Sequence, residues 1–289
     1  MRGFIGIDAG RDGVKADNGL RQLSFKSKVG EARERRLVEK LKYDVEIDGR
    51  RYFVADLADE SRYKREMATD NKIHEETRIL FLTAAALIMD TDEVSITTGL
   101  PVDQHTPEIK AQMIELLRGR HEVKVEGRTI KLTIGDIGIC AEGTGIYWNE
   151  VMDQNGQIKN TWMHGRLTRV LDLGSRKFNF CTIKPGGRYY DLESGSLQYG
   201  MIDLDNAEDC ETDEGKAAFA RKIAADMSKK WLTYNPTKEI VLIGGGGTLR
   251  IGPQIMKHFP LSTIAGNPLF ANAAGFGKMG KARWQQRGN

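Results

Sequence analysis

The sequence predicts an α/β protein whose strands and helices form two lobes facing each other across a cleft. Three stretches carry that prediction: "FIGIDAGRDGVKA" (4–16), its restatement "RVLDLGSRKFNFCTI" (169–183), and "EIVLIGGGGTLRIGP" (239–253), in which a buried strand runs into four glycines. In the first, Phe4, Ile5 and Ile7 form a short apolar run, Gly10 and Gly13 allow a tight reversal, and Val14 resumes the extended pattern. The second repeats it: an apolar strand, Asp172, Gly174 after one residue, a polar turn and another apolar strand. Two such tips, carrying Asp8, Gly10 and Lys15 on one side and Asp172, Gly174 and Ser175 on the other, can enclose a polyphosphate and its cation.

The elements follow in order. After the opening hairpin, "LRQLSFKSKV" and the pair in "KYDVEIDGRRYFVADL", turning at Asp48-Gly49, read as strands and make the N-terminal region β-rich. A helix is expected from about Glu75 to Met89 with Ile79, Leu80, Thr83 and Leu87 on one face. The strand "EVSITTGLP" and a helix opened by Thr106-Pro107 come next. A hairpin turning at Glu126-Gly127, a separate strand "DIGICAEG" and a helix through Tyr147 and Val151 complete the first lobe, which ends in the polar stretch "DQNGQIKN" near Asn160. In the second lobe, "IDLDNAEDCET" reads as an acidic linker before an amphipathic helix with Phe219, Ile223, Met227 and Trp231 at i+4 spacing, a stripe read as core.

Composition sets outer bounds. The 289 residues suffice for two domains, and 40% apolar with 29% charged residues suits an ordinary soluble chain. The longest apolar run, "ILFLTAAALIM", falls short of the roughly 20 residues of a membrane span. Met1 leads straight into the first strand, so a cytoplasmic location is expected, with no membrane partner. Cys140, Cys181 and Cys210 are odd in number and read as reduced thiols rather than a metal site or disulfide framework. A net charge of +3 does not call for direct nucleic-acid binding, although "EARERR" (31–36) and the tail from Lys278 to Arg287 are locally basic. The glycine run lacks the G-x-G-x-x-G spacing of a dinucleotide fold, and the chain holds no Walker A loop.

Together, "GIDAGRDGVK", "VLDLGSRKFNF" and "VLIGGGGTL" resemble the phosphate-1, phosphate-2 and adenosine motifs of the actin, heat-shock chaperone and sugar kinase superfamily. With "TTGLP", "DLESGSLQYGM" and "NPLFANAAGFGKMG", the chain looks most like ParM-type bacterial and archaeal actin-like proteins. The resemblance implies an actin-like two-lobed fold, each lobe a ribonuclease-H-like mixed sheet with flanking helices, closing on Mg²⁺ and ATP. It implies lobe I at residues 1–160, with a β-rich outer subdomain at about 20–70, lobe II at 161–264, and a C-terminal helix, 265–289, returning to lobe I. The short stretch after Met201 implies that the outer subdomain of lobe II is absent, as in the AlfA-like branch.

Residue by residue, the resemblance implies that Asp8 and Asp172 hold Mg²⁺ through water. Gly10, Arg11, Asp12, Gly13 and Lys15 would meet phosphate with Gly174, Ser175, Arg176 and Lys177, while Gly244, Gly245, Gly246, Gly247 and Leu249 would take the nucleoside. Glu142, in the crossover "AEGTGIYWNE", is the catalytic candidate that orients water; the lesser alternative is an acid that stabilises a helix N-terminus. Three departures stand out: Arg11 where actin has a small hydroxyl residue, Arg176 and Lys177 beside the expected phosphates, and Asn179 where many relatives carry an acid. The two cations either hold nucleotide or point to solvent. The activity implied is an ATPase that assembles into filaments of its own copies and serves plasmid segregation through a DNA-binding adaptor on centromere-like DNA. GTP remains an alternative nucleotide. The rival classes are a small-molecule kinase and a non-polymerising nucleotide sensor.

Overall fold

The computed structural model describes residues 2–34, 41–61, 63–66 and 72–285. The basic stretches 31–36 and 278–287 and the expected β-rich region 20–70 therefore lie partly outside the described residues.

The first sheet begins with β1 (Gly3–Ala9), β2 (Gly13–Asp17), β3 (Gln22–Lys26) and β4 (Lys28–Glu31), followed by β5 (Asp44–Ile47), β6 (Arg50–Val54) and β7 (Lys64–Glu66). Then come α1 (Glu75–Ile88), β8 (Glu93–Leu100), α2 (Pro107–Leu117), β9 (Gly119–Val125) and β10 (Arg128–Ala141). The strands order β3-β2-β1-β8-β10-β9-β5-β6-β4-β7. β1 pairs antiparallel with β2 and parallel with β8, which pairs parallel with β10.

Two sequence expectations change here. The hairpin partner of β9 and "DIGIC" are not separate strands. β10 is one continuous strand that pairs first with β9 and then with β8, with a register shift between Ile134 and Ile137 that bends it from one neighbour to the other. Helix α1 is not buried on one face only: every residue from Ile79 to Ile88 is buried, because the helix is covered by strands on one side and by α2 and the outer strands on the other. The helix signals elsewhere hold. Thr106 Oγ1 caps α2 by accepting from Ile109 N (3.3 Å), and Pro107 stands at the first turn.

From β10 the chain enters α3 (Thr144–Val151), then α4 (Thr161–His164) and a second sheet, β11 (Thr168–Leu173), β12 (Phe178–Lys184) and β13 (Arg188–Leu197). The first four residues of the expected linker, 202–205, belong instead to a short helix, α5 (Met201–Asp205), started by reciprocal bonding between Gly200 and Asp203. Next come α6 (Asp213–Lys230), β14 (Ile240–Gly244), α7 (Thr248–Met256), β15 (Ser262–Ile264) and α8 (Ala271–Trp284). The second sheet orders β13-β12-β11-β14-β15, the same pattern of three antiparallel strands followed by two parallel ones as β3-β2-β1-β8-β10. Ile223, Met227 and Trp231 of the α6 stripe are buried in the second core, with Phe219 packed against it. All three cysteines are free thiols.

The lobes are joined by two helices that pass each other. α3 packs under the second sheet through Ile146, Tyr147 and Val151, while α8 packs under β1 and β8. Their crossing depends on the absence of side chains: a Cβ on Gly275 would lie 1.8 Å from the carbonyl oxygen of Gly145, and one on Gly145 would lie 2.8 Å from the Asn272 Cα. Lys278 Nζ, buried in this joint, donates to the backbone and side-chain oxygens of Asn149 (2.7 and 2.9 Å). Burial lowers its pKa.

Candidate functional site

The two restated hairpins are superimposable in register. Asp8 pairs with Lys15 and Ala9 with Val14, leaving residues 10–13 as the turn. Asp172 pairs with Asn179 and Leu173 with Phe178, leaving residues 174–177. Each hairpin thus carries an acid one residue before the strand end and a polar residue opposite it, with a turn of equal length. The tips face each other across a cleft of about 670 Å³ that also meets the glycine turn after β14. A cavity of that size accommodates a nucleotide-sized ligand.

Of the residues singled out in the sequence, Asp8, Gly10, Arg11, Asp12, Gly13, Lys15, Glu142, Asp172, Gly174, Ser175, Arg176, Lys177, Gly245, Gly246 and Gly247 line this cleft. Gly244 and Leu249 do not. Gly244 is the last residue of β14, where Ile146 fills the space a side chain would need, and Leu249 is 69% exposed on α7. The three remaining glycines present backbone to the cleft. Gly245 has φ +85°, and a Cβ there would lie 2.6 Å from Asp172 Oδ1.

The tips are cationic. Lys15 Nζ donates to Gly13 O (3.1 Å), which holds the ammonium at the mouth of its own turn. Burial and the charge of Arg176 together lower the pKa of Arg11, so the two guanidinium groups repel each other across the cleft. Lys177 Nζ reaches Asp103 Oδ2 (3.3 Å), on the loop after β8, so it points across the cleft rather than to solvent. An anion between the tips relieves this repulsion.

Deeper in the cleft the charge reverses. Asp172 is buried, and its carboxyl is pushed up to about 7 by desolvation first and then by the charges of Asp8 and Glu142. Glu142 is also raised, by burial above all, with the charge of Asp8 adding to it and Lys72 opposing it. Its place follows from local geometry. The amide of Glu142 donates to Leu100 O (2.8 Å), which ties the end of β10 to the end of β8, and the Gly99 position is bare enough to admit the Glu142 stem. Gly143, at φ +86°, then turns the chain into α3. Glu142 Oε1 pairs with buried Lys72, while Oε2 accepts from Asn179 Nδ2 (2.7 Å).

Lys72 and Asn272 went unremarked in the sequence, and Asn179 was noted only as a departure. Asn272 opens α8: its Nδ2 donates to Asp172 Oδ2 (2.8 Å) and its Oδ1 accepts from Gly143 N (3.1 Å). One side chain thus fixes an acid of the second lobe and the crossover that follows Glu142. Its signal was the Asn among small residues in "NPLFANAAGFG", where the neighbours only need to be small. At the far end of the cleft, Arg250 joins Asp205 and Glu211 beside Met201.

Residues 6–145 match the family model for the N-terminal domain of actin-like proteins. The whole chain has the fold of the actin and ParM-like superfamily. Apo pSK41 ParM is similar over 100% of this chain and 99% of its own, with a TM-score of 0.81 and 17% identity. The ParM of a 15-stranded filament from Clostridium botulinum covers 97% of this chain and 99% of its own, at TM-score 0.77 and 20% identity. Ta0583, an archaeal actin homologue solved with ADP, covers 96% and 98%, at TM-score 0.76 and 18% identity. No curated protein sequence matches the chain.

Proposed function

We propose that this chain is an ATPase that assembles into nucleotide-dependent filaments of its own copies. One observation carries the reading: two hairpin tips of equal register, cationic at their ends, face each other over half-buried Asp8 and the buried acids Asp172 and Glu142. A nucleotide polyphosphate matches the cationic tips. Its cation matches the acids, whose mutual repulsion is the cost that a bound Mg²⁺ removes. Among the described residues no group of three or more His, Cys, Asp or Glu side chains is arranged to hold an ion directly, which favours attachment through water and phosphate oxygens. When bound, Mg²⁺ neutralises phosphate charge in the transition state. Asp8 and Asp172 would hold it.

The remaining work falls to the chain. Lys15, Arg11 and Arg176 supply positive charge to the phosphates, and the bare backbone of the turns around Gly10 and Gly174 lets them approach closely. Glu142 aligns the attacking water and accepts its proton, a role that needs an ionised carboxylate at the end of the phosphate channel. Relatives of the same fold have been solved with ADP and with AMPPNP, which favours ATP, with GTP as the competing ligand to be tested. No helix among the described residues is long and apolar enough to cross a membrane. A cytoplasmic filament serving plasmid segregation, linked to centromere-like DNA through a DNA-binding adaptor, is the cellular role proposed.

The test is right-angle light scattering with parallel phosphate release over a range of protein concentrations after addition of Mg²⁺ and ATP. A threshold concentration followed by phosphate release supports the reading. Phosphate release without scattering at any concentration would remove the filament and leave the ATPase.

A further inference from the structure

Asn179 occupies, opposite Asp172, the place that Lys15 takes opposite Asp8, yet it is buried and uncharged. Its own hydrogen bonds explain the choice. Ser196, opposite it on β13, donates through Oγ to Asn179 Oδ1 (2.7 Å). The Glu142 carboxylate can only accept, so it takes the Nδ2 end of the amide at Oε2 and leaves Oδ1 to the Ser196 hydroxyl. Glu142 Oε1 is meanwhile taken by Lys72. The carboxylate is therefore held at both oxygens: by Lys72, from the segment leading into α1 of the first lobe, and by Asn179, from β12 of the second. Each oxygen retains a lone pair for a further donor.

We propose that Asn179 is a positioning residue for hydrolysis: it fixes the plane of the Glu142 carboxylate toward the attacking water and makes that alignment depend on the approach of the second lobe. The inference rests on reading Glu142 as the group that orients water. A neutral donor is what the place requires. An acid at 179 would set a second carboxylate 2.7 Å from Glu142 Oε2, in a site already facing Asp8 and Asp172, where Lys72 and Arg11 are the positive charges acting with Glu142 and Lys15 the one acting on Asp172. Two carboxylates at that distance cannot both stay ionised and hydrogen-bonded, so one turns away or takes up a proton. Water alignment would be lost with almost no change in side-chain volume.

The experiment compares steady-state nucleotide hydrolysis by the full chain with that of Asn179→Asp, Ser196→Ala, Glu142→Gln and the double variant Asn179→Asp/Glu142→Gln, with thermal midpoints recorded alongside. Asn179→Asp is expected to lower kcat about tenfold or more while KM for nucleotide stays within about twofold. Ser196→Ala, which only frees the amide to rotate, should lower kcat several-fold and covers the case in which Asn179→Asp folds poorly. The double variant restores a donor and acceptor with their roles exchanged, so its thermal midpoint should return toward the parent's while turnover stays lost. Parental kcat in both Asn179→Asp and Ser196→Ala, with Glu142→Gln inactive, would overturn the positioning role and leave Glu142 in place. Parental hydrolysis by Glu142→Gln would instead remove the reading of Glu142, and the positioning role with it.

Discussion

Replacing Asp172 by Asn should stabilise the nucleotide-free protein, and increasingly so as pH rises. In the folded chain the Asp172 carboxyl lies at about 7, against an ordinary 3.8, because it is desolvated and faces Asp8 and Glu142. A folded-state pKa above the unfolded value means that folding favours the protonated form. The group therefore costs nothing well below pH 3.8, its cost grows between 3.8 and about 7, and it is fully present above that. From these two values the penalty is about 2 kcal/mol at pH 5 and about 4 kcal/mol at pH 8. Asn keeps the shape and can still accept from Asn272 Nδ2, so it avoids the penalty without opening a cavity. Urea unfolding of the parent and of Asp172→Asn, without nucleotide or metal, should show a stability gap that widens by roughly 2.5 kcal/mol from pH 5 to pH 8. The variant should also lose tight binding of the Mg²⁺ complex of the nucleotide. A gap independent of pH would refute the claim that this acid is held ionised at a cost for the sake of a cation.

Other sites give separate expectations. Lys72→Met removes the cation that opposes burial at Glu142, so its pKa rises and the acid limb of the hydrolysis profile should move to higher pH; an unchanged profile would detach Lys72 from the reaction. Arg169, with no exposed surface, bonds Glu239 (2.5 Å) and Glu193 (2.8 Å) under the rings of Trp231 and Tyr234. Arg169→Met strands two buried carboxylates and should cost about 3–5 kcal/mol in denaturant unfolding, whereas a cost near zero would mean that water already reaches them. Gly275→Ala drives a methyl into the Gly145 carbonyl at the lobe joint. It should cost about 3 kcal/mol and lower the thermal midpoint, and a parental midpoint would show that α3 and α8 can slide apart freely.

Much of this protein was legible in order along the chain. The hairpin tips at 10–13 and 174–177, the strand before the glycine run and the capped helix after Thr106 are set by local turn chemistry and apolar spacing, which act over a few residues. The tips also carried the charge that marks the cleft. What escaped the sequence depended on distant partners. The burial of α1 on all sides and the continuation of β10 from one neighbour to the next come from packing against elements far along the chain, where no short window holds the signal. Leu249 follows the glycines closely, yet the turn of α7 carries it away from the cleft, because side-chain direction in a helix changes by about 100° per residue. Lys72, Asn179 and Asn272 lie far apart in the sequence and became parts of one site only when the lobes brought them onto Glu142 and Asp172. The chain alone determined which groups could bind a polyphosphate. Tertiary structure decided which acids share a low-dielectric space, and so which of them need a partner to remain charged.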